Sequence, residues 1–142
     1  MAAAFWDSSA LVPLLIQQQS SLNVMQLARR FEVVVWWSTP IEVKSAFARL
    51  VRMAQISSTE FADAQVDLSD LRKSWQEVAP TDRLRSTAES FLDRFSLRAA
   101  DALQLAAAYM WASSEPRGRT FLSGDRQLLD AARQLGFQAI ET

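Results

Sequence analysis

The stretch "RTFLSGDRQLLDAARQLGFQAIE" (residues 119–141) decides the predicted fold, because it reads as a strand, a helix and a second strand. An apolar run predicts the first strand at 119–123. Residues 125–136 have helical spacing and end at Gly136, a residue that commonly terminates helices. A final strand is predicted at 137–141. A helix between two strands favours parallel pairing in one sheet, so this stretch predicts an α/β fold.

The upstream sequence continues the same alternation of short apolar strands and longer amphipathic helices. Strands are predicted at 2–6, 32–38 and 77–80, and helices at 9–19, 21–31, 38–55, 57–75, 81–95 and 99–113. Nearly continuous apolar strands are typical of sheets covered on both faces. We therefore expect a single domain over residues 1–142, built as a three-layer α/β/α sandwich around a short-stranded, mostly parallel sheet.

The composition excludes several kinds of chemistry. Histidine and cysteine are both absent, so imidazole and thiolate metal ligands, Ser-His-Asp triads and thiol nucleophiles are excluded. The net charge of −1 provides no general attraction for a polyanion, which must therefore be bound locally. The sequence has no signal peptide and no apolar run long enough to span a bilayer, which predicts a cytoplasmic protein that does not contact a membrane.

Four carboxylates lie where a shared site can form: Asp7, Glu42, Asp101 and Asp125. Three of them follow predicted strands directly or within one helical turn, and the carboxyl ends of parallel strands share one edge of a sheet. The fourth, Asp101, lies in the first turn of the helix at 99–113 and can join them there. We therefore expect the four carboxylates to converge.

Each acid also has a simpler explanation. Asp7 and Asp125 can cap the helices that follow them, and Glu42 can complete a capping box with Thr39. Capping explains Asp101 least well, because its helix is so apolar that we expect the carboxylate to be buried. A buried charge without a partner costs several kcal/mol.

A shared pocket of carboxylates requires a cation, since like charges at close range raise one another's pKa values. A donor set made only of oxygen atoms favours Mg²⁺ or Mn²⁺. Such an ion activates water and stabilises charge on a phosphoryl group, so the site needs no histidine as base.

Four segments together resemble the PIN-domain ribonucleases of the VapC toxin type. They are "DSSALV" (7–12), "TPIEVKSA" (39–46), "RAADALQLAAA" (98–108) and "FLSGDRQLLDAARQLGF" (121–137), and the resemblance covers essentially the whole chain. It implies a Mg²⁺- or Mn²⁺-dependent endoribonuclease that cleaves structured RNA such as tRNA or rRNA. It also implies a homodimer that is neutralised by a small cognate antitoxin.

The resemblance further assigns roles to individual residues. Asp7, Glu42, Asp101 and Asp125 match the catalytic and metal-binding acids of the family, with Asp7 and Asp101 as the strongest candidates for direct ligands. Ser8 and Ser123 match supporting positions near the metal. Many members have Thr where Ser123 stands and His where Gln104 stands.

Weaker candidates are the aromatic and basic residues that could contact a substrate or a partner. Arg98 and Arg126 lie near proposed metal ligands in the sequence and could bind RNA. Trp36 and Trp37 are expected on opposite faces of their strand, in the core or at a partner contact. The helical hairpin at 39–75 could form a partner groove, although core packing is the simpler interpretation.

Two other functional classes remain open. One is a phosphohydrolase or phospho-acceptor domain with Asp7 as nucleophile. A haloacid-dehalogenase-like enzyme, however, has a second Asp where this chain has Ser9, and a receiver domain needs an acceptor Asp and a late Lys that are not evident here. The other class is a non-catalytic PIN-like binding module.

Overall fold

A computed structural model of the protein describes residues 1–142. Five strands form one sheet: β1 (Ala2–Trp6), β2 (Phe31–Trp36), β3 (Gln76–Val78), β4 (Thr120–Ser123) and β5 (Gln138–Glu141). Their order across the sheet is β3-β2-β1-β4-β5, and every neighbouring pair is parallel. The predicted parallel sheet is confirmed, with no antiparallel strand.

Seven helices cover the two faces of this sheet. They are α1 (Ser8–Leu15), α2 (Ser21–Arg30), α3 (Thr39–Arg52), α4 (Ser58–Arg72), α5 (Asp82–Arg94), α6 (Ala99–Trp111) and α7 (Arg126–Leu135). Helices α1–α4 share one apolar core with the sheet, and α5–α7 share the other. The three-layer α/β/α sandwich is therefore confirmed. None of these helices has the length and apolar character needed to cross a lipid bilayer.

Strand β1 shows why the strands are almost entirely apolar. Ala4 and Trp6 belong to the core under α1–α4, whereas Phe5 points into the core under α5–α7, where it stacks on Phe121 at 5.5 Å. Ala4, Phe5 and Trp6 are fully buried. Successive side chains of β1 point to opposite faces of the sheet, but helices cover both faces. The side chains on both faces are therefore apolar.

The helix ends differ from the prediction by up to four residues, and the ends of α1 and α3 near the site are the two that matter here. Helix α1 ends at Leu15 rather than at residue 19, because the backbone becomes extended at Ile16; Pro13 lies inside the helix, which continues past it. Helix α3 begins at Thr39, so its N-cap is Ser38, and no capping box forms between Thr39 and Glu42. That part of the prediction is wrong, since Thr39 is buried and Glu42 has other partners.

The sheet order places the site at a reversal of connectivity. From β1 the chain builds outward through β2 to β3 on one side, and β4 and β5 lie on the other side of β1. In open parallel sheets, ligands bind at such a switch point, beyond the carboxyl ends of the strands. Here the backbone N–H of Asp7 donates to the carbonyl of Leu122 at 3.0 Å, so the ends of β1 and β4 are in direct contact.

Candidate functional site

Asp7 leaves the end of β1 and lies at the centre of the site. Although it occupies the N-cap position of α1, its side chain makes no capping hydrogen bond, so the capping explanation fails for this residue. Its Oδ2 atom instead accepts hydrogen bonds from Ser9 Oγ (2.5 Å) and Ser123 Oγ (2.9 Å). The residue is only 4% exposed, and burial raises the pKa of its carboxyl even though these two hydroxyls act to lower it.

Glu42 is held by side chains from three separate parts of the chain. Ser8 Oγ donates to Oε1 (3.2 Å), while Ser38 Oγ (3.1 Å) and Gln104 Nε2 (2.9 Å) donate to Oε2. Burial raises the pKa of the Glu42 carboxyl, and the nearby charge of Asp7 raises it further. The hydroxyl and amide donors act in the opposite direction and fix the orientation of the carboxylate.

Asp101 is the third helical residue of α6, near the positive end of the helix dipole. It is partly exposed rather than buried as predicted, because the first turn of α6 lies at the edge of the sheet while Ala102 and the later turns pack into the core. Partial burial raises the pKa of its carboxyl, and the charges of Asp125 and Asp7 raise it further. The backbone N–H of Arg98 and then its guanidinium act in the opposite direction. The pKa of Asp101 therefore responds to the charges of two of the other acids.

Asp125 caps α7, which is the structural role that the sequence analysis considered for it. Its Oδ1 accepts hydrogen bonds from the backbone N–H groups of Gln127 (2.9 Å) and Leu128 (3.2 Å), so it caps α7. Its own backbone N–H donates to Ser123 Oγ at 3.0 Å, the same hydroxyl that donates to Asp7. This connection ties the start of α7 to the buried carboxylate, and the Oδ2 atom of Asp125 accepts none of these bonds.

No basic side chain forms an ion pair with this acidic group, although the charge of Arg98 reaches Asp101. All four ion pairs of the structure lie on the surface and use other acids, from Asp70 and Asp82 to Asp130 and Glu141. Burial raises the pKa values of three of the four site carboxyls, and repulsion by neighbouring acids adds to this effect at Glu42 and Asp101. A charge distribution of this kind favours the binding of a cation.

The donor chemistry fits Mg²⁺ or Mn²⁺, since every candidate ligand is a carboxylate or hydroxyl oxygen. The spacing is more open than in a closed metal site, because no three acidic side chains lie close enough together to hold an ion. Asp101 is partly exposed, so rotation of its side chain changes its distance from the other carboxylates without disturbing the core. Asp125 caps α7 through Oδ1, and its Oδ2 takes no part in the cap. The residues therefore fit a divalent cation by chemistry and charge.

A cleft of about 560 Å³ opens beside the acids, between α1 and α3. Ser8, Ser9 and Glu42 line its end near the site, while Leu50 and Arg49 lie further along α3. Arg49 is the only cationic residue that lines the cleft. The cleft is thus a concave surface that runs from the acidic group to a positive charge.

The weaker candidates are spread over different environments. Arg98 is exposed and close enough to Asp101 to affect its pKa, whereas Arg126 forms a surface ion pair with Glu141 at 3.1 Å. Trp36 is buried in the core, and Trp37, just beyond the end of β2, is 52% exposed.

The α3–α4 hairpin uses its large aromatic residues for packing rather than for a groove. Phe47 and Trp75 are buried in the core under α1–α4, and Phe61 packs against them.

Sequence reasoning missed three residues that organise the acids. Ser9 contacts Asp7 and also accepts a hydrogen bond from the backbone N–H of Gly124, and Ser38 contacts Glu42. Gln104 was visible only as a departure from the family pattern. The available signal was a lone amide inside an apolar helix, three residues after Asp101 and hence on the same side of that helix.

Comparison with known proteins finds similarity in structure alone, since no protein-family model and no curated protein matches the chain. PAE2754 from Pyrobaculum aerophilum aligns with a TM-score of 0.66 and 20% identity, over 99% of this chain and 89% of that one. FitAcB from Neisseria gonorrhoeae aligns with a TM-score of 0.63 and 15% identity, over 97% and 96%. A toxin–antitoxin complex from Klebsiella pneumoniae aligns with a TM-score of 0.62 and 13% identity, over 87% of each chain. The chain therefore shares its three-layer α/β/α fold with these three structures.

Proposed function

We propose that this protein is a divalent-metal-dependent endoribonuclease and the toxin of a toxin–antitoxin pair, of the VapC type. The observation that carries the proposal is the acidic group at the sheet switch point. Asp7, Glu42 and Asp101 come from three different parts of the chain, have raised pKa values and form no ion pair. Packing of the fold does not explain why these acids lie at one edge of the sheet, because burial of unpaired charges is unfavourable.

The proposal assigns a distinct task to each part of the acidic group. Asp7 and Asp101 are the main metal ligands, and Glu42 and Asp125 complete the set. Ser123 holds Asp7 and Ser8 holds Glu42, so that the carboxylates do not have to be ordered when the ion binds. An ion of Mg²⁺ or Mn²⁺ bound there would lower the pKa of a water molecule and stabilise charge on the phosphodiester.

The substrate in this proposal is a structured RNA such as tRNA or rRNA. The cleft between α1 and α3 supports it, because the cleft begins at Glu42 and Ser8 and ends at Arg49, which can bind a phosphate bidentately. An RNA strand lying in this cleft would pass beside the acids. Exposed Trp37, beyond the end of β2, offers a ring on which an unpaired base can stack.

The proposed partners are a small cognate antitoxin and a second copy of the chain. Support for the antitoxin comes from the fold shared with the toxin–antitoxin complex of Klebsiella pneumoniae. The structure also leaves large apolar side chains exposed on α3 and just beyond its end, where Ile41 is 66% and Met53 57% exposed. Exposed apolar side chains of this size are compatible with a protein partner.

The competing class, with Asp7 as a nucleophile or phospho-acceptor, is less well supported. A nucleophile must approach phosphorus in line, whereas Asp7 is 4% exposed and its Oδ2 accepts two hydroxyl hydrogen bonds. A non-catalytic binding module would have no use for three buried or half-buried carboxylates whose pKa values are raised.

The test is cleavage of total RNA, purified tRNA and purified rRNA by the protein in Mg²⁺ or Mn²⁺. We expect cleavage that EDTA abolishes and that Asp7→Asn and Asp101→Asn each remove. Asp67→Asn is the matched control, since Asp67 is an exposed acid on α4 outside the site, and it should retain wild-type activity.

Two outcomes would contradict the proposal. Cleavage that persists in EDTA and in both site variants would show that the acids do not act through a metal. A phosphorylated Asp7, formed from a small phosphodonor in a protein that cuts no RNA, would establish the phospho-acceptor class instead.

A further inference from the structure

Gln104 is a fully buried amide in the middle of an apolar helix surface. It lies on α6, where Leu105 and the following three alanines are also fully buried. Polar side chains in such positions are unfavourable unless their hydrogen bonds are satisfied. Its place in the core therefore requires an explanation from its contacts.

The amide makes its hydrogen bonds on one side only. Nε2 donates to Glu42 Oε2 at 2.9 Å and to Thr39 Oγ1 at 3.3 Å, while Oε1 is buried without any partner. The contact with a carboxylate fixes this orientation, because turning the amide over would place its oxygen against the oxygen of Glu42. Gln104 thus uses both donor hydrogens and leaves its acceptor unused.

This arrangement is a poor one for stability. An apolar side chain of similar volume, such as Leu or Met, would fill the same space without a buried, unpaired carbonyl. Glu42 would still have the hydroxyls of Ser8 and Ser38, and it reaches partial contact with solvent. We therefore attribute the amide at position 104 to the positioning of Glu42, because core packing alone would be better served by an apolar side chain.

The hydrogen bond also joins the two helix layers across the end of the sheet. Glu42 belongs to α3 in one layer, and Gln104 belongs to α6 in the other, together with Asp101 one turn earlier. Residues three apart lie on the same side of a helix. The hydrogen bond from Gln104 therefore links the Glu42 carboxylate to α6, the helix that carries Asp101.

We propose that Gln104 is a positioning residue that orients Glu42 toward the cation site by donating Nε2–H to Oε2. The inference rests on the proposed function, since it assigns Glu42 to that site. Removal of the amide leaves Glu42 in place but held only by the hydroxyls of Ser8 and Ser38, without the donor from α6 that fixes Oε2. Substitution of residues that hold metal ligands in place typically weakens metal binding about 10- to 100-fold.

The experiment compares Gln104→Leu and Gln104→Met with wild type in three measurements. These are Mn²⁺ affinity by calorimetry without RNA, the urea midpoint in EDTA, and RNA cleavage. We expect a urea midpoint equal to or above that of wild type, Mn²⁺ binding weaker by about 10- to 100-fold, and a comparable fall in kcat with little change in KM. Gln104→His, which keeps an N–H donor at similar reach, should recover most of the affinity.

Gln65→Leu is the matched control. Gln65 on α4 also has a buried Oε1 without a partner, but it lies away from the acids. This variant should leave Mn²⁺ affinity and kcat unchanged, so the loss in Gln104→Leu cannot come from removal of a buried amide as such.

Two results would overturn the inference while leaving the proposed function intact. One is wild-type Mn²⁺ affinity and kcat in both apolar variants. The other is a lowered urea midpoint in both apolar variants that Gln104→His does not recover, which would make the amide a structural element. A wild-type protein that neither binds Mn²⁺ nor cleaves RNA would refute the proposed function itself.

Discussion

Replacement of Asp7 by Asn removes a negative charge that the structure buries almost completely, and it tests whether that charge serves the fold or a ligand. Burial raises the pKa of the Asp7 carboxyl, so the ionised form opposes folding at neutral pH. The Asp7→Asn side chain keeps an oxygen that can accept from Ser9 and Ser123, the two donors to Oδ2. The variant therefore loses the charge without losing these hydrogen bonds.

The expected magnitude follows from the cost of a buried, incompletely paired polar group, which is about 1–3 kcal/mol and higher for charged groups. We expect the metal-free Asp7→Asn variant to be more stable than wild type at pH 7.5 by about 1–3 kcal/mol. This gain corresponds to roughly 3–9 °C in Tm for a chain of this length. It should shrink at lower pH, where the wild-type carboxyl takes up a proton.

The assay is thermal and urea unfolding in EDTA, repeated with saturating Mn²⁺. An ion that binds only the folded state stabilises it, so Mn²⁺ should raise the Tm of wild type and leave that of Asp7→Asn unchanged. Asp67→Asn provides the control for removal of an exposed charge and should behave like wild type in both conditions. A metal-free Asp7→Asn variant that is less stable than wild type would refute the reasoning, since the carboxylate would then stabilise the fold by itself.

Three further predictions follow from the same geometry. The pKa values of Asp7, Glu42 and Asp101 are raised, so in EDTA the folded state should lose stability as the pH rises through these pKa values. This prediction would be contradicted if the urea midpoint of Asp7→Asn changed with pH as steeply as that of wild type. Asp125→Ala should lose about 1 kcal/mol of stability through loss of the α7 cap, whereas Asp125→Asn should keep the cap; equal destabilisation by both would count against it. Arg49→Ala should raise KM for RNA and weaken its salt dependence, while Arg52→Ala, on the same helix but outside the cleft, should not; equal effects of the two on KM would exclude the cleft as the RNA path.

The element order could be predicted from the sequence because its signals are local. Gly136 terminates α7 with a positive φ of 110°, a conformation that costs Gly less than other residues. Thr81 caps α5 through a hydrogen bond from Leu84 N, as its position after a short strand indicates. Both features depend only on residues close in the chain.

The errors arose where distant contacts replace local ones. The pattern of Thr39 and Glu42 is that of a capping box, but Glu42 binds Ser8, which is 34 residues away, and Gln104, which is 62 residues away. Thr39 is buried instead of capping the helix. No local rule predicts which polar groups from other elements will reach a side chain, because that depends on the sheet order.

The strand pattern predicted the position of Asp7, whereas the exposure of Asp101 could not be predicted. The position of Asp7 at the end of β1 follows from the strand pattern, and the bond between Asp7 N and Leu122 O shows that β4 ends beside it. Partial exposure of Asp101 could not be inferred from the apolar sequence of α6, because exposure depends on where the first turn of the helix meets the sheet edge.

The central claim is that the acids at the switch point bind one divalent cation or two. The most direct test is a crystal structure of the protein with Mn²⁺, with the metal located by its anomalous signal. We predict a peak within about 2.5 Å of carboxylate oxygens of both Asp7 and Asp101. The absence of a peak at these acids at saturating Mn²⁺, or a peak only at surface carboxylates elsewhere, would contradict the account.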